Sequence, residues 1–272
     1  ISSFNLLFLN RNSFCLILRL MRYLFALFML FIQFGSFGQE LMPVINFSPD
    51  SYSGETQNWK ISQSPEKNIY IANNSGLLEY NGADWKLYPA PNGSVMRSVQ
   101  VEGERIYTGC YMEFGYWKKD EFFNLTYTSL SEKIRDKLPE DENFWKIICH
   151  QQWVIFQSLR GLYIYDSATD TFEIITSLTE LPKVFDVAGY IYFQKIGEGL
   201  FQLENGKSSL VADFSAFRDH VIINIFTHKG ELLVETQDLG FFVIENGSVS
   251  AWKAENAAKI NALSVYSSLQ LQ

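Results

Sequence analysis

The sequence is poor in the residue types that build reactive centres. It has three cysteines, Cys15, Cys110 and Cys149. Cys15 lies in an apolar leader, so the remainder can form at most one bridge. The spacing offers neither a disulfide framework nor a zinc site, and buried free thiols fit it best. His150, His220 and His228 are the only histidines. No pair has i, i+3 or i+4 spacing with a carboxylate partner, and no HExxH pattern occurs, so neither a metal centre nor a histidine base is expected. A Gly-x-Ser-x-Gly elbow is missing, as is a phosphate-cradling glycine loop with its lysine. Glu140-Asp141-Glu142 lacks EF-hand spacing and reads as a solvated loop. The sequence thus assigns no catalytic residue, no metal and no cofactor. Basic residues are also few, 22 against 30 acidic, for a net charge of −8. Arg11, Arg19 and Arg22 fall within the first 38 residues, which hold no acid, so the body is more acidic still. Phosphate contacts need clustered Lys and Arg, and direct nucleic-acid contact is not expected.

Apolar and aromatic residues are plentiful: 47% hydrophobic, with 23 Phe and 14 Tyr. That composition builds a core and tilts the chain towards β structure, because aromatic and β-branched side chains suit a pleated, half-buried surface. Met21 to Ile32 has a basic start and an apolar run, followed by small residues around Ser36-Phe37-Gly38. This reads as a secretory signal cleaved before Gln39. The run is short of the roughly 20 residues of a spanning helix. The expected organisation is an upstream or non-native extension (1–20), a signal peptide (21–38) and a repeat domain (39–272) truncated at its carboxyl end.

The repeat is a glycine followed by a large apolar residue: Gly76-Leu77, Gly115-Tyr116, Gly161-Leu162, Gly199-Leu200 and Gly240-Phe241, at intervals of 39, 46, 38 and 41 residues. Each follows two β-rich runs, for example Trp145-Lys146-Ile147-Ile148 and Trp153-Val154-Ile155-Phe156 before Leu162-Tyr163-Ile164-Tyr165. Asn81-Gly82, Asn205-Gly206 and Asn246-Gly247 follow third runs, and Asn92-Gly93 marks another turn. Asn-Gly supplies the positive φ of tight hairpins. Short strands, hairpins and a period near forty predict an all-β fold, a β-propeller of four-stranded antiparallel blades, about five plus a truncated one. Ile260 to Val265 is expected as the first strand of a sixth unit, and Ser131 to Leu138 as an inserted helix explaining the long second interval. The six tryptophans are expected to pack between blades, with sugar stacking as the sharper alternative.

The loop between the second and third strands of every blade emerges on one face. Asn74, Glu113, Arg160, Glu198 and Asp238 stand just ahead of the repeated glycines and are the candidate ligand-binding residues, converging on a polar rim. Loops on a rigid scaffold are where binding usually resides.

Residues Gln57 to Gln63, Tyr70 to Gly82 with Trp85, Pro91 to Val99, and Glu113 to Tyr116 resemble the two-component-regulator-type propellers of Bacteroidetes. Those belong to LuxR-type transcriptional regulators and hybrid sensor kinases. The resemblance runs from about Phe47 onward and is most specific over residues 57–117. It implies a periplasmic sensory input domain of a signal-transduction protein, followed in the parent by a β-sandwich, a membrane helix and a cytoplasmic output module. The implied partners are a small-molecule or oligosaccharide ligand, a periplasmic protein, or a second copy through the parent. Membrane association would come only through the signal peptide or a downstream segment. Two rivals stay open: a secreted propeller enzyme acting on carbohydrate (glycosidase or lyase), and a protein-interaction scaffold.

Overall fold

The computed structural model describes residues 19–25, 27–28, 44–176, 183–212, 219–253, 259 and 264–268. Residues 1–46 and 47–272 form separate units. In the first, the described residues of 19–28 are helical. The expected cleavage site at Ser36 to Gln39 lies outside the described residues.

The second unit contains five four-stranded antiparallel sheets, each wound in chain order. Blade 1 comprises β1 (Asn58–Gln63), β2 (Ile69–Asn73), β3 (Gly76–Tyr80) and β4 (Trp85–Pro89). Blade 2 holds β5 (Ser98–Glu102), β6 (Arg105–Gly109), β7 (Phe114–Lys119) and β8 (Leu125–Ser129). Blade 3 holds β9 (Lys146–His150), β10 (Trp153–Gln157), β11 (Gly161–Asp166) and β12 (Thr171–Thr176). Blade 4 is β13 (Val184–Val187), β14 (Tyr190–Lys195), β15 (Gly199–Glu204) and β16 (Lys207–Ala212). Blade 5 is β17 (Ile222–His228), β18 (Glu231–Thr236), β19 (Gly240–Glu245) and β20 (Ser248–Ala251). First strands of successive blades lie against one another: β1 on β5, β5 on β9, β13 on β17. They are therefore innermost.

Side chains alternate across a strand, and here each alternation fills two interfaces. In β9, Ile147 joins an apolar cluster with blade 2, while Ile148 joins another with blade 4. Among the described residues there are four such clusters, one between each pair of consecutive blades. A single sheet would leave both faces wet, so stacking is what stabilises the array. Each fully buried Leu or Phe contributes roughly 1.5–3 kcal/mol to it. The far face of blade 1 is covered by Phe47 and a short helix, Pro49–Tyr52, whose rings pack on Trp85.

Two of the repeated glycines have a steric cause. A Cβ on Gly76 would sit 2.2 Å from the Tyr88 carbonyl oxygen, and one on Gly115 would sit 2.2 Å from that of Thr128. The fourth strand passes too close for any side chain there. Asn205-Gly206 and Asn246-Gly247 adopt positive φ at both residues, as two-residue hairpins require. Asn81-Gly82 is built differently: the Asn81 Oδ1 accepts the backbone N–H groups of Ala83 and Asp84. The inserted helix spans Ser131–Lys137 and is 3₁₀ in form, broken by non-helical dihedrals at Ile134. Most of the expected sixth strand lies outside the described residues. Ser264 to Ser268 is irregular, and Val265 N–H donates to the Gln237 carbonyl.

Candidate functional site

The loops between second and third strands share one side of the array, and each candidate residue is engaged within it. Asn74 accepts a hydrogen bond from Trp59 Nε1 at 2.8 Å and donates to Glu55 at 2.9 Å. Glu113 is buried, pairs with Arg135 at 2.9 Å and accepts from Tyr127 and Ser129 hydroxyls. Arg160 donates to the Glu140 carbonyl. Glu198 approaches Lys195 at 3.6 Å. Asp238 pairs with His220 Nδ1 at 2.8 Å. These contacts tie each residue to its own surroundings, and among the described residues no hydrogen bond or ion pair joins one of the five to another.

What gathers residues from several blades is a cluster on the innermost strands that sequence reasoning passed over. Trp59 of β1 and Trp145, just before β9, meet at 5.8 Å between ring centroids although blades 1 and 3 are not neighbours. Arg97, which leads into β5 of blade 2, lies over both rings at 4.3 and 4.7 Å. Its backbone N–H pairs with the Gly109 carbonyl at the end of β6, and that of Trp145 with Gln157 at the end of β10. The cluster thus lies beside the same loops, and Asn74 joins it through Trp59. Trp59 and Trp145 stay 39% and 38% exposed, so they are rim residues and not inter-blade packing. Trp117, buried between blades 1 and 2, and Trp153, packed on the cluster between blades 3 and 4, do pack between blades as expected.

Lysines extend the cluster. Lys146 Nζ donates to the Val184 carbonyl and Lys183 Nζ to that of Ile223, each reaching the next blade's inner strand. Burial, then the charges of Lys60 and Lys183, push Lys146 down to about 8, against the pull of Asp186. Burial likewise lowers Lys183, with Glu235 opposing. The sequence did carry a sign of this, since Trp59-Lys60-Ile61 repeats as Trp145-Lys146-Ile147 at the start of two first strands.

Two buried features lie elsewhere. Glu142 is 1% exposed, so the expected solvated loop is corrected there: the chain folds inward and Met112 N–H donates to the Glu142 carbonyl. Burial raises its carboxyl above the ordinary range. Cys110 and Cys149 are free, and burial pushes both thiols up to about 12. At the opposite side, a cavity of about 350 Å³ between blades 1 and 2 is lined by Tyr70, Val101, Ile106 and Phe123. Its lysines are already paired, Lys118 with Glu104 and Lys119 with Glu79. Among the described residues no group of three His, Cys, Asp or Glu is placed to hold a metal, and no helix is long and apolar enough to cross a membrane.

The fold recurs in solved structures. The extracellular domain of BT4673, a candidate hybrid two component system of B. thetaiotaomicron, matches with TM-score 0.53 and 14% identity, over 79% of this chain and 29% of that one. The chain is a β-propeller. The extracellular domain of BT3049, from the same organism and of the same description, matches with TM-score 0.50 and 14% identity, over 84% and 32%. YCF48 bound to D1 peptide matches with TM-score 0.51 and 11% identity, over 78% and 75%. The propeller therefore spans about a third of the length of the two bacterial domains. No family model and no curated protein matches the sequence.

Proposed function

We propose that this propeller is an extracytoplasmic sensory domain, the non-catalytic input part of a longer signal-transduction protein. The observation that carries it is the rim. Side chains from three blades meet there on rigid strands, partly exposed, in an arrangement that blade packing alone does not call for. The likeness in fold to extracellular domains of candidate hybrid two component systems supports the same reading. So do the apolar leader and its small-residue exit. A small molecule or oligosaccharide bound at the rim would bias how the propeller packs on the next domain of its parent. Such a signal requires different affinity for two states.

A thermal-shift screen of the purified chain against sugars, oligosaccharides and small acids tests this. A ligand that raises the melting temperature and is recovered unchanged supports a sensor. Turnover of that ligand moves the protein to the enzyme class, and the absence of any stabilising compound favours a protein-binding scaffold.

A further inference from the structure

We infer that the inner rim of blades 1 to 4, built from Arg97, Lys60, Lys146 and Lys183 with Trp59 and Trp145, is a binding site for a ligand carrying two or more carboxylates. As an account of the sensed ligand this rests on the sensor reading; as a binding site it does not.

Arg97 is the centre of the argument. A guanidinium on a protein surface ordinarily finds a carboxylate; this one lies over two indole rings that meet nearly edge to face, at 78°. Stacking uses the faces of the planar group and leaves its N–H edge for in-plane hydrogen bonds. The Nε is buried and has no hydrogen-bond partner. An enclosed nitrogen is out of a ligand's reach, so the donors that Arg97, half-buried as a whole, can present are its terminal N–H groups. The two terminal nitrogens form a fork that can take a carboxylate through two parallel bonds.

The lysines supply the second charge. Lys146 and Lys183 each give one hydrogen bond to a backbone carbonyl. An ammonium has three donors. Among the described residues none of the four cations forms an ion pair, so each keeps donors for a ligand. Asp186, Glu235 and Glu55 lie in the neighbourhood. Glu235 already accepts from Ser268, and Glu55 from Asn74. Mutual repulsion among cations opposes folding unless something offsets it, and in a chain of net charge −8 this concentration is against the general trend. A dicarboxylate or tricarboxylate offsets it at two points, Arg97 and a lysine, and its recognition is local because the overall field repels anions.

The test is titration calorimetry of the chain with citrate at neutral pH, with tryptophan fluorescence as a second readout because Trp59 and Trp145 flank the guanidinium. Saturable binding is expected, weakened tenfold or more in Arg97→Gln and in Lys146→Gln, and unchanged in Lys118→Gln, whose cation is paired outside the rim. Lys60→Gln is the safeguard should the first two fail to fold: its side chain is exposed, and it should weaken citrate several-fold. No saturable heat, or equal weakening by Lys118→Gln, overturns the site. Sulfate binding as tightly as citrate overturns the carboxylate assignment. Citrate binding in a chain whose parent does not signal would leave this site standing and remove the sensor reading.

Discussion

The faces between blades and the rim inside them are made by the same strands with opposite chemistry. In β9 and the residue before it, Ile147 and Ile148 disappear into two apolar clusters, while Trp145 and Lys146 remain at the rim. The faces repeat with the blade and are exchangeable in kind. The rim differs between neighbouring blades: blade 1 offers Trp-Lys, blade 2 Arg-Ser, blade 3 Trp-Lys again. Uniform faces are what assembly needs, and a non-uniform rim is what selecting a ligand needs. The comparison breaks if the two respond alike to truncation. Phe114 is fully buried against Phe144 and Phe156, at 4.5 and 4.4 Å between centroids. Phe114→Ala should cost about 3–5 kcal/mol. Trp145→Ala should cost under about 1 kcal/mol, the worth of an exposed cation–π contact. Urea melts of both decide it, and equal losses would make the rim ordinary core.

A charged anchor inside the blade 1–2 face sharpens the contrast. Glu79 accepts from the Tyr70 and Tyr88 hydroxyls at 2.9 Å each, and Lys119 from blade 2 approaches at 3.2 Å. Burial alone raises this carboxyl; the hydrogen bonds of Tyr88, Tyr70 and Lys119 outweigh it and hold the pKa below 4.5. A depressed carboxylate contributes stability that is present above its unfolded pKa and lost as pH falls through the folded value. Glu79→Gln should therefore cost roughly 1–3 kcal/mol at pH 7. The gap between variant and parent should close as the solution is acidified below about 4.5. A gap that persists in acid would mean the tyrosines, and not the charge, hold the anchor.

Much of this architecture can be read from the residues, and the limit has a physical cause. The glycine repeat and the Asn-Gly pairs report local backbone geometry, so the five blades and the hairpins at Asn205 and Asn246 were legible. The fourth strand's approach forbids a Cβ at Gly76 and Gly115, which explains the glycine in the first two copies of the repeat. Contacts that depend on how far successive blades rotate were not legible. Trp59 and Trp145 are 86 positions apart in sequence, and only the curvature of the array brings them together across Arg97. The five loop residues were placed on the right side of the blade by topology, but topology does not say whether Glu113 turns towards the axis or, as here, towards Arg135 and Tyr127. Glu142 misled because charge density suggests solvent, whereas the loop's backbone bonds carry it inward.

Lys146 gives the finest test of the difference between face and rim, because its position straddles both. Its ammonium donates to the Val184 carbonyl of blade 4 and feels the charges of Lys60 and Lys183. With a folded pKa near 8 against 10.5 in the unfolded chain, the native state binds fewer protons than the unfolded state between those values. Stability then rises with pH across that window, the reverse of a lysine held by a carboxylate. The difference in stability between the parent and Lys146→Met should accordingly move in the parent's favour from pH 8 to 10.5, with the other lysines cancelling in the subtraction. An anion at the rim restores the preference for the charged form, so saturating citrate should flatten the dependence. If the slope survives citrate unchanged, the ammonium belongs to the blade interface alone, and the rim loses one of its three lysines.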